Sequence, residues 1–240
     1  AHRGRGGGMS GRATGRAGLV RAVASRDLRA EARGRVVTNQ IVPFAGLVMV
    51  TFAFALDRED VLSRAAGGLL WLATTFSLFV LVQRAFALET ADRALDALRV
   101  AGVDLGRVYL GKSIALMVQL FALECVLVPV AVVLYRVRLD APGAVLLVTC
   151  MVSATAGLAF VGTLYGGLTV GGAGRETLLP LLVLPVVAPV LIAATRATES
   201  ALRSGGAAVS EGWAWVGLLA VFAAAFGIAG TLAFGPLVDE

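Results

Sequence analysis

Gly106-x-x-x-x-Gly111-Lys112-Ser113 spells the phosphate-loop pattern letter for letter. That chemistry needs a buried strand to deliver the loop, so that backbone N–H groups and the lysine converge on phosphates. The residues before it, RVAGVDL from Arg99 to Leu105, contain no strand-like run, and those after it enter a long apolar stretch. The spacing is therefore read as a helix start, with Asp104 as its cap and Lys112 snorkelling at a membrane edge. Catalytic alternatives are few. The one histidine is His2, in a Gly/Arg-rich leader, so no histidine is available inside a fold. Cys125 and Cys150 form no CxxC and read as small apolar residues. Glu124 stands alone in an apolar run, with Gln119 one to two turns below it. A carboxyl at mid-membrane costs at least about 2.5 kcal/mol, so it should face the protein interior. Without a paired acid it is no catalytic constellation, and the chain reads as a non-enzyme.

The elements that carry these residues are oily. Of 240 residues, 58% are hydrophobic and 15% charged, with a mean hydropathy of +0.84. A soluble domain carries about 25% charged residues. Lipid must replace water over much of this surface. Six apolar runs follow one another: Val36–Leu56, Ala65–Val82, Ile114–Tyr135, Ala144–Val170, Leu178–Thr195 and Trp213–Phe234. Each is about 18 residues or longer, enough to cross roughly 30 Å of hydrocarbon as a helix. None shows the alternation of barrel strands. The expected fold is an all-α integral membrane protein with six transmembrane helices.

Three regions are expected. Residues 1–18 are Gly/Arg low complexity, expected to be disordered, with no signal-peptide core; Met9 is a candidate start. Residues 19–35 are expected to form a basic amphipathic helix at the membrane interface, with Val20, Ala24 and Leu28 on one row. Residues 36–240 form the six-helix domain. Fifteen of the 21 Lys and Arg residues fall in the N-terminal segment, the loop through Lys112 and the loop holding Arg175. The positive-inside rule then puts both termini in the cytoplasm. The same rule accounts for the formal charge of +5 without nucleic acid binding.

The longest polar gap runs from Arg84 to Ser113. Within it Leu88, Ala91, Leu95 and Leu98 share one helical face, while Glu89, Asp92, Arg93, Asp96 and Arg99 occupy the rest. Glu89/Arg93 and Asp96/Arg99 are spaced as helical ion pairs, and Gly102 is a suitable terminator. A short helix over about 86–100 is expected, either sealing the interface or docking a soluble partner. Gly162/Gly166 and Gly167/Gly171 are small-xxx-small pairs for close helix packing. Pro180, Pro185 and Pro189 each remove a helix hydrogen bond, so the fifth span is expected to be kinked.

Three blocks together resemble the CcmB-type permeases, the haem exporter permease subunits of the bacterial cytochrome c maturation system. They are Arg26-Asp27-Leu28-Arg29 with the arginines up to Arg35; Arg84 to Glu89 with Val103-Asp104 and Leu110-Gly111-Lys112; and Arg175 to Pro180 with Pro185, Pro189 and Arg196-Ala197-Thr198. Gly102 stands where that family usually has a proline, and an asparagine common near Ala115 to Met117 is missing. The resemblance implies a fold like the type-2 ABC exporter permeases, with an N-terminal interfacial helix and a cytoplasmic coupling helix at about 86–100. It implies docking of an ATPase subunit (CcmA-like) on Glu89, Asp92, Arg93, Asp96, Arg99 and Asp104. It also implies a haem-handling membrane subunit (CcmC-like), a single-span subunit (CcmD-like), a haem chaperone (CcmE-like) and a second copy of the chain. ATP would be bound by the partner ATPase. With no histidine in the membrane, haem is better held by a partner, and no cofactor is expected on this chain. The location implied is the bacterial inner membrane. Alternatives with the same fold are an exporter of drugs, lipid or polysaccharide, and a scaffold that anchors the ATPase.

Overall fold

The computed structural model describes residues 17–56, 59–92, 103–136, 139–168, 179–202 and 206–238. Seven α-helices make up those residues: α1 (Ala17–Gly34), α2 (Val42–Ala55), α3 (Glu59–Asp92), α4 (Leu105–Leu134), α5 (Ala141–Leu168), α6 (Leu179–Leu202) and α7 (Gly206–Val238). Among the described residues six segments are long and apolar enough to cross a membrane: Val37–Ala55, Val61–Ala87, Leu105–Leu134, Ala141–Leu168, Pro180–Leu202 and Val209–Pro236. The chain is a multi-pass membrane protein, and its outer surface agrees. Phe54 is 80% exposed and Leu47, Val133, Leu181, Val221 and Leu232 are also open. Such a surface suits lipid, which is as apolar as these side chains.

Local chemistry sets the helix ends. Arg35 takes a left-handed conformation at φ 49°, which stops α1 immediately after Gly34. The next turn, Val37–Ile41, is a π-helix, and the Val42 N–H donates to the Val37 carbonyl. Pro43 explains it. Proline has no N–H to donate to the Asn39 carbonyl, and its ring crowds that group, so the preceding turn widens. Asp104 caps α4 by accepting from the Gly106 N–H at 3.0 Å, and Asp140 caps α5 by accepting from the Gly143 N–H at 2.8 Å.

The spans alternate in direction. The start of α4 meets α1, where Gly111 lies against Val23 and the Val20 carbonyl, and meets the end of α7, where Gly106 faces the Thr231 carbonyl. The ends of α3 and α5 join the same end, with Gly166 against Phe86 and Val82. At the opposite end, the start of α5 meets the end of α6 (Gly143 against the Ala201 carbonyl), and the start of α7 meets both (Gly212 against Leu146 and Ser200). There the Tyr135 hydroxyl, just past α4, donates to the Met49 carbonyl of α2 at 3.1 Å. The result is an up-and-down bundle with α5, α6 and α7 packed on one another and α1 capping the basic end.

Two segments differ from the sequence reading. Phe86 to Asp92 do not open a separate helix; they complete the 34-residue α3. No glycine or proline interrupts Val82 to Asp92, so nothing stops the helix where hydropathy falls. The rest of the expected 86–100 helix lies outside the described residues, as do residues 1–16 of the leader. The third span begins at Leu105, nine residues before the apolar run does, because the Asp104 cap and not hydropathy sets its start.

Candidate functional site

Gly106 to Ser113 form the first turns of α4. In that conformation the N–H groups beyond the first turn are consumed by the helix's own carbonyls and cannot cradle phosphate. The two glycines serve packing instead, Gly106 under α7 and Gly111 under α1.

Lys112 does not snorkel. It is 4% exposed, its Nζ lies 3.3 Å from Asp27 Oδ2 on α1, and it stands 5.1 Å from the centroid of the Phe86 ring. The expectation failed because α1 folds over the start of α4 and closes the route to water. Asp27 also lies 3.5 Å from Arg26 Nε. One turn on, Glu31 Oε1 accepts the Val37 N–H at 2.6 Å, satisfying a donor at the start of the first span. Two carboxylates of α1 thus tie it to α4 and to the π-turn. Neither contact is marked in the sequence, because the partners are remote or on the backbone.

Beside this tie lies a cavity of about 430 Å³, lined by Arg26, Asp27, Glu31, Arg33, Arg84 and Gln119 with Ala30, Leu81 and Ala85. Gln119 is here, half-buried at its rim, and not with Glu124. The Arg84 guanidinium lies over Gly34, 2.5 Å from where a Cβ would stand.

Deeper in the bundle Glu124 is fully buried, as expected of a membrane carboxyl. The Thr155 hydroxyl of α5 lies 2.7 and 2.8 Å from its two oxygens, so one O–H serves both. No Lys or Arg pairs with Glu124 among the described residues. A second buried polar group joins α3, α5 and α6. Trp71 Nε1 donates to Thr198 Oγ1 at 2.9 Å, and Cys150 Sγ sits 3.9 Å from the same hydroxyl. Both groups fasten helices together.

The remaining candidates are dispersed. Glu89 and Asp92 lie in the final turns of α3. Arg93, Asp96 and Arg99 lie outside the described residues. Asp104 is engaged locally, with Arg107 Nε 3.0 Å from its Oδ2 as well as the Gly106 cap. Gly162 and Gly166 face Leu78, Val82 and Phe86 of α3, whereas Gly167 faces Phe234 of α7; Gly171 lies outside the described residues. Pro180 falls in the first described turn of α6, and the residues before Leu179 lie outside the described ones. Pro185 and Pro189 are exposed on the lipid side, and α6 continues as a helix through both. Among the described residues no three His, Cys, Asp or Glu side chains gather to hold a metal.

Known proteins of the same shape of sequence exist. "Heme exporter protein B" of Rhodobacter capsulatus is 32% identical over 174 residues, covering 72% of this chain and 79% of that protein. The Paracoccus denitrificans protein of the same name is 30% identical over 211 residues, covering 88% and 94%. The Haemophilus influenzae one is 30% identical over 156 residues, covering 65% and 70%. The family described as CcmB protein matches residues 19–238, which takes in all but the first two residues of α1 and every span, and this chain belongs to that family.

Proposed function

We propose that this chain is the permease subunit of a haem-export complex in cytochrome c maturation, driven by ATP hydrolysed on a separate CcmA-like subunit. The observation that carries the reading is the family match over residues 19–238, together with relatives named as haem exporters. The chain itself is not an enzyme in this reading. Its phosphate-loop letters are helical, so ATP belongs to the partner. Its one histidine is His2, so haem is held by CcmC-like and CcmE-like partners, with a CcmD-like subunit and a second copy of the chain completing the assembly.

The mechanism is mechanical. The ATPase docks on the segment containing Glu89, Asp92, Arg93, Asp96, Arg99 and Asp104. Closure on ATP pushes the end of α3. Because α3 is one rigid helix, the push reaches α5 through the Gly162/Gly166 contact and α6 through Trp71–Thr198. The complex sits in the bacterial inner membrane with both termini cytoplasmic.

The test is co-expression with the ATPase and haem-handling subunits. The triple variant Glu89→Lys, Asp92→Lys, Asp96→Lys is expected to insert normally and lose the ATPase on purification, or to lose at least about tenfold in stimulated ATP turnover, equivalent to one 1.4 kcal/mol increment in coupling. Full turnover in that variant would overturn the docking assignment. A haem spectrum from the chain purified without partners would overturn the assignment of haem to them.

A further inference from the structure

The cavity between α1, α3 and α4 has a lopsided chemistry. Two of its lining groups are carboxylates, one held in an ion pair and the other by a backbone N–H. Asp27 is engaged by Lys112 and Arg26, and Glu31 by the Val37 N–H. Arg33 and Arg84 make no ion pair or hydrogen bond among the described residues. The donors left facing the space are therefore two guanidinium groups and the Gln119 amide. Guanidinium forks match the oxygen geometry of phosphate, often in bidentate fashion. Ala30 of α1 and Leu81 and Ala85 of α3 supply an apolar part of the same lining. Arg84 falls in the last turn of the span Val61–Ala87, the depth at which lipid headgroups lie. At about 430 Å³ the space is far larger than a few waters need.

We propose that this cavity holds an anionic phospholipid, its phosphate against Arg33 and Arg84 and one acyl chain along Leu81 and Ala85. A basic pocket between membrane helices at the headgroup level is a recognised setting for such a lipid. The bound lipid fills the gap beneath α1 and neutralises Arg33 of α1 and Arg84 of α3. It thereby joins α1 to the end of α3.

The test uses the full chain in detergent, titrated with phosphatidylglycerol or phosphatidylcholine of identical acyl chains and read by native mass spectrometry. Phosphatidylglycerol is expected to be retained preferentially. Each arginine lost should weaken retention about fivefold, and Arg33→Gln with Arg84→Gln together about thirtyfold. Arg33 is exposed, so Arg33→Gln alone keeps the test valid if changes at Arg84 disturb folding; Arg84→Lys should retain most of the preference. Arg196→Gln, at the other end of the bundle, should change nothing. Equal retention of the two lipids, or undiminished retention in Arg33→Gln and in the double variant, would overturn the proposal. Displacement of the lipid by inorganic phosphate at equal concentration would overturn it too, and would assign the cavity to free phosphate.

Discussion

Lys112 and Asp27 are 85 residues apart, and neither lies in a pattern that points to the other. A lysine at the start of an apolar run reads as snorkelling, and an aspartate in an arginine-rich helix reads as solvated. Only the crossing of α1 over Gly111 makes them partners. Their environments are unequal, which yields a prediction. Lys112 is 4% exposed, whereas Asp27 is 16% exposed and keeps Arg26 nearby. Asp27→Asn takes the carboxylate away from a buried ammonium, and removing one partner of a buried pair costs about 3 kcal/mol. Lys112→Met removes the buried charge and fills its space, leaving a carboxylate that still has a neighbour, so it should cost about 1 kcal/mol. The double variant Asp27→Asn, Lys112→Met should resemble Lys112→Met alone, because the two sites share one interaction. Thermal unfolding in detergent decides it: if Lys112→Met proves the more damaging, the pair is not the buried lock described. Glu124 was legible as a buried carboxyl from its position alone. Its partner Thr155 was not, since a threonine in an apolar helix carries no mark of which neighbour it meets.

At the scale of helices, small residues announce close packing but not its partner. Gly162, Gly166 and Gly167 are neighbours in sequence, yet the first two receive α3 and the third receives α7, because adjacent positions on a helix point about 100° apart. A Cβ at Gly166 would sit 2.5 Å from the Phe86 ring and 2.6 Å from Val82. Gly166→Ala should therefore separate α3 from α5 or distort Phe86, costing about 2 kcal/mol as overpacking usually does. Gly217 of α7 has nothing within 4 Å of such a Cβ. Gly217→Ala should be neutral or stabilise by about 0.5 kcal/mol through helix propensity. Equal losses at the two sites would mean that α3 and α5 do not meet at Gly166. Because Phe86 also lies over Lys112, Gly166→Ala should weaken the Asp27 tie as well, whereas Gly217→Ala should leave it alone. The helix ends were the least legible part. Hydropathy drops at Val82 and α3 nonetheless continues to Asp92; the widened turn before Pro43 was marked only by the proline.

For the whole molecule, hydropathy alone was enough to count six spans, because nothing but length and apolarity is needed to satisfy a bilayer. Which helices touch was not legible, since all six faces are oily and lipid and protein neighbours ask for the same side chains. The contacts now group the ends. α1, the starts of α2, α4 and α6, and the ends of α3, α5 and α7 form one end, and Tyr135, Asp140 and Arg196 mark the other. An even number of crossings returns the chain to the side it left. Fifteen of the 21 basic residues belong to the segments at the α1 end. Positive residues resist transfer across the membrane, so that end should be cytoplasmic. A fluorescent protein fused after α7 should therefore mature and glow, while alkaline phosphatase at the same point stays inactive. Phosphatase inserted after Arg136, in the turn between α4 and α5, should be active. The reverse pattern would invert the whole bundle. The end of α3 would then face away from any cytoplasmic ATPase, and the α1 cavity would open to the outer leaflet.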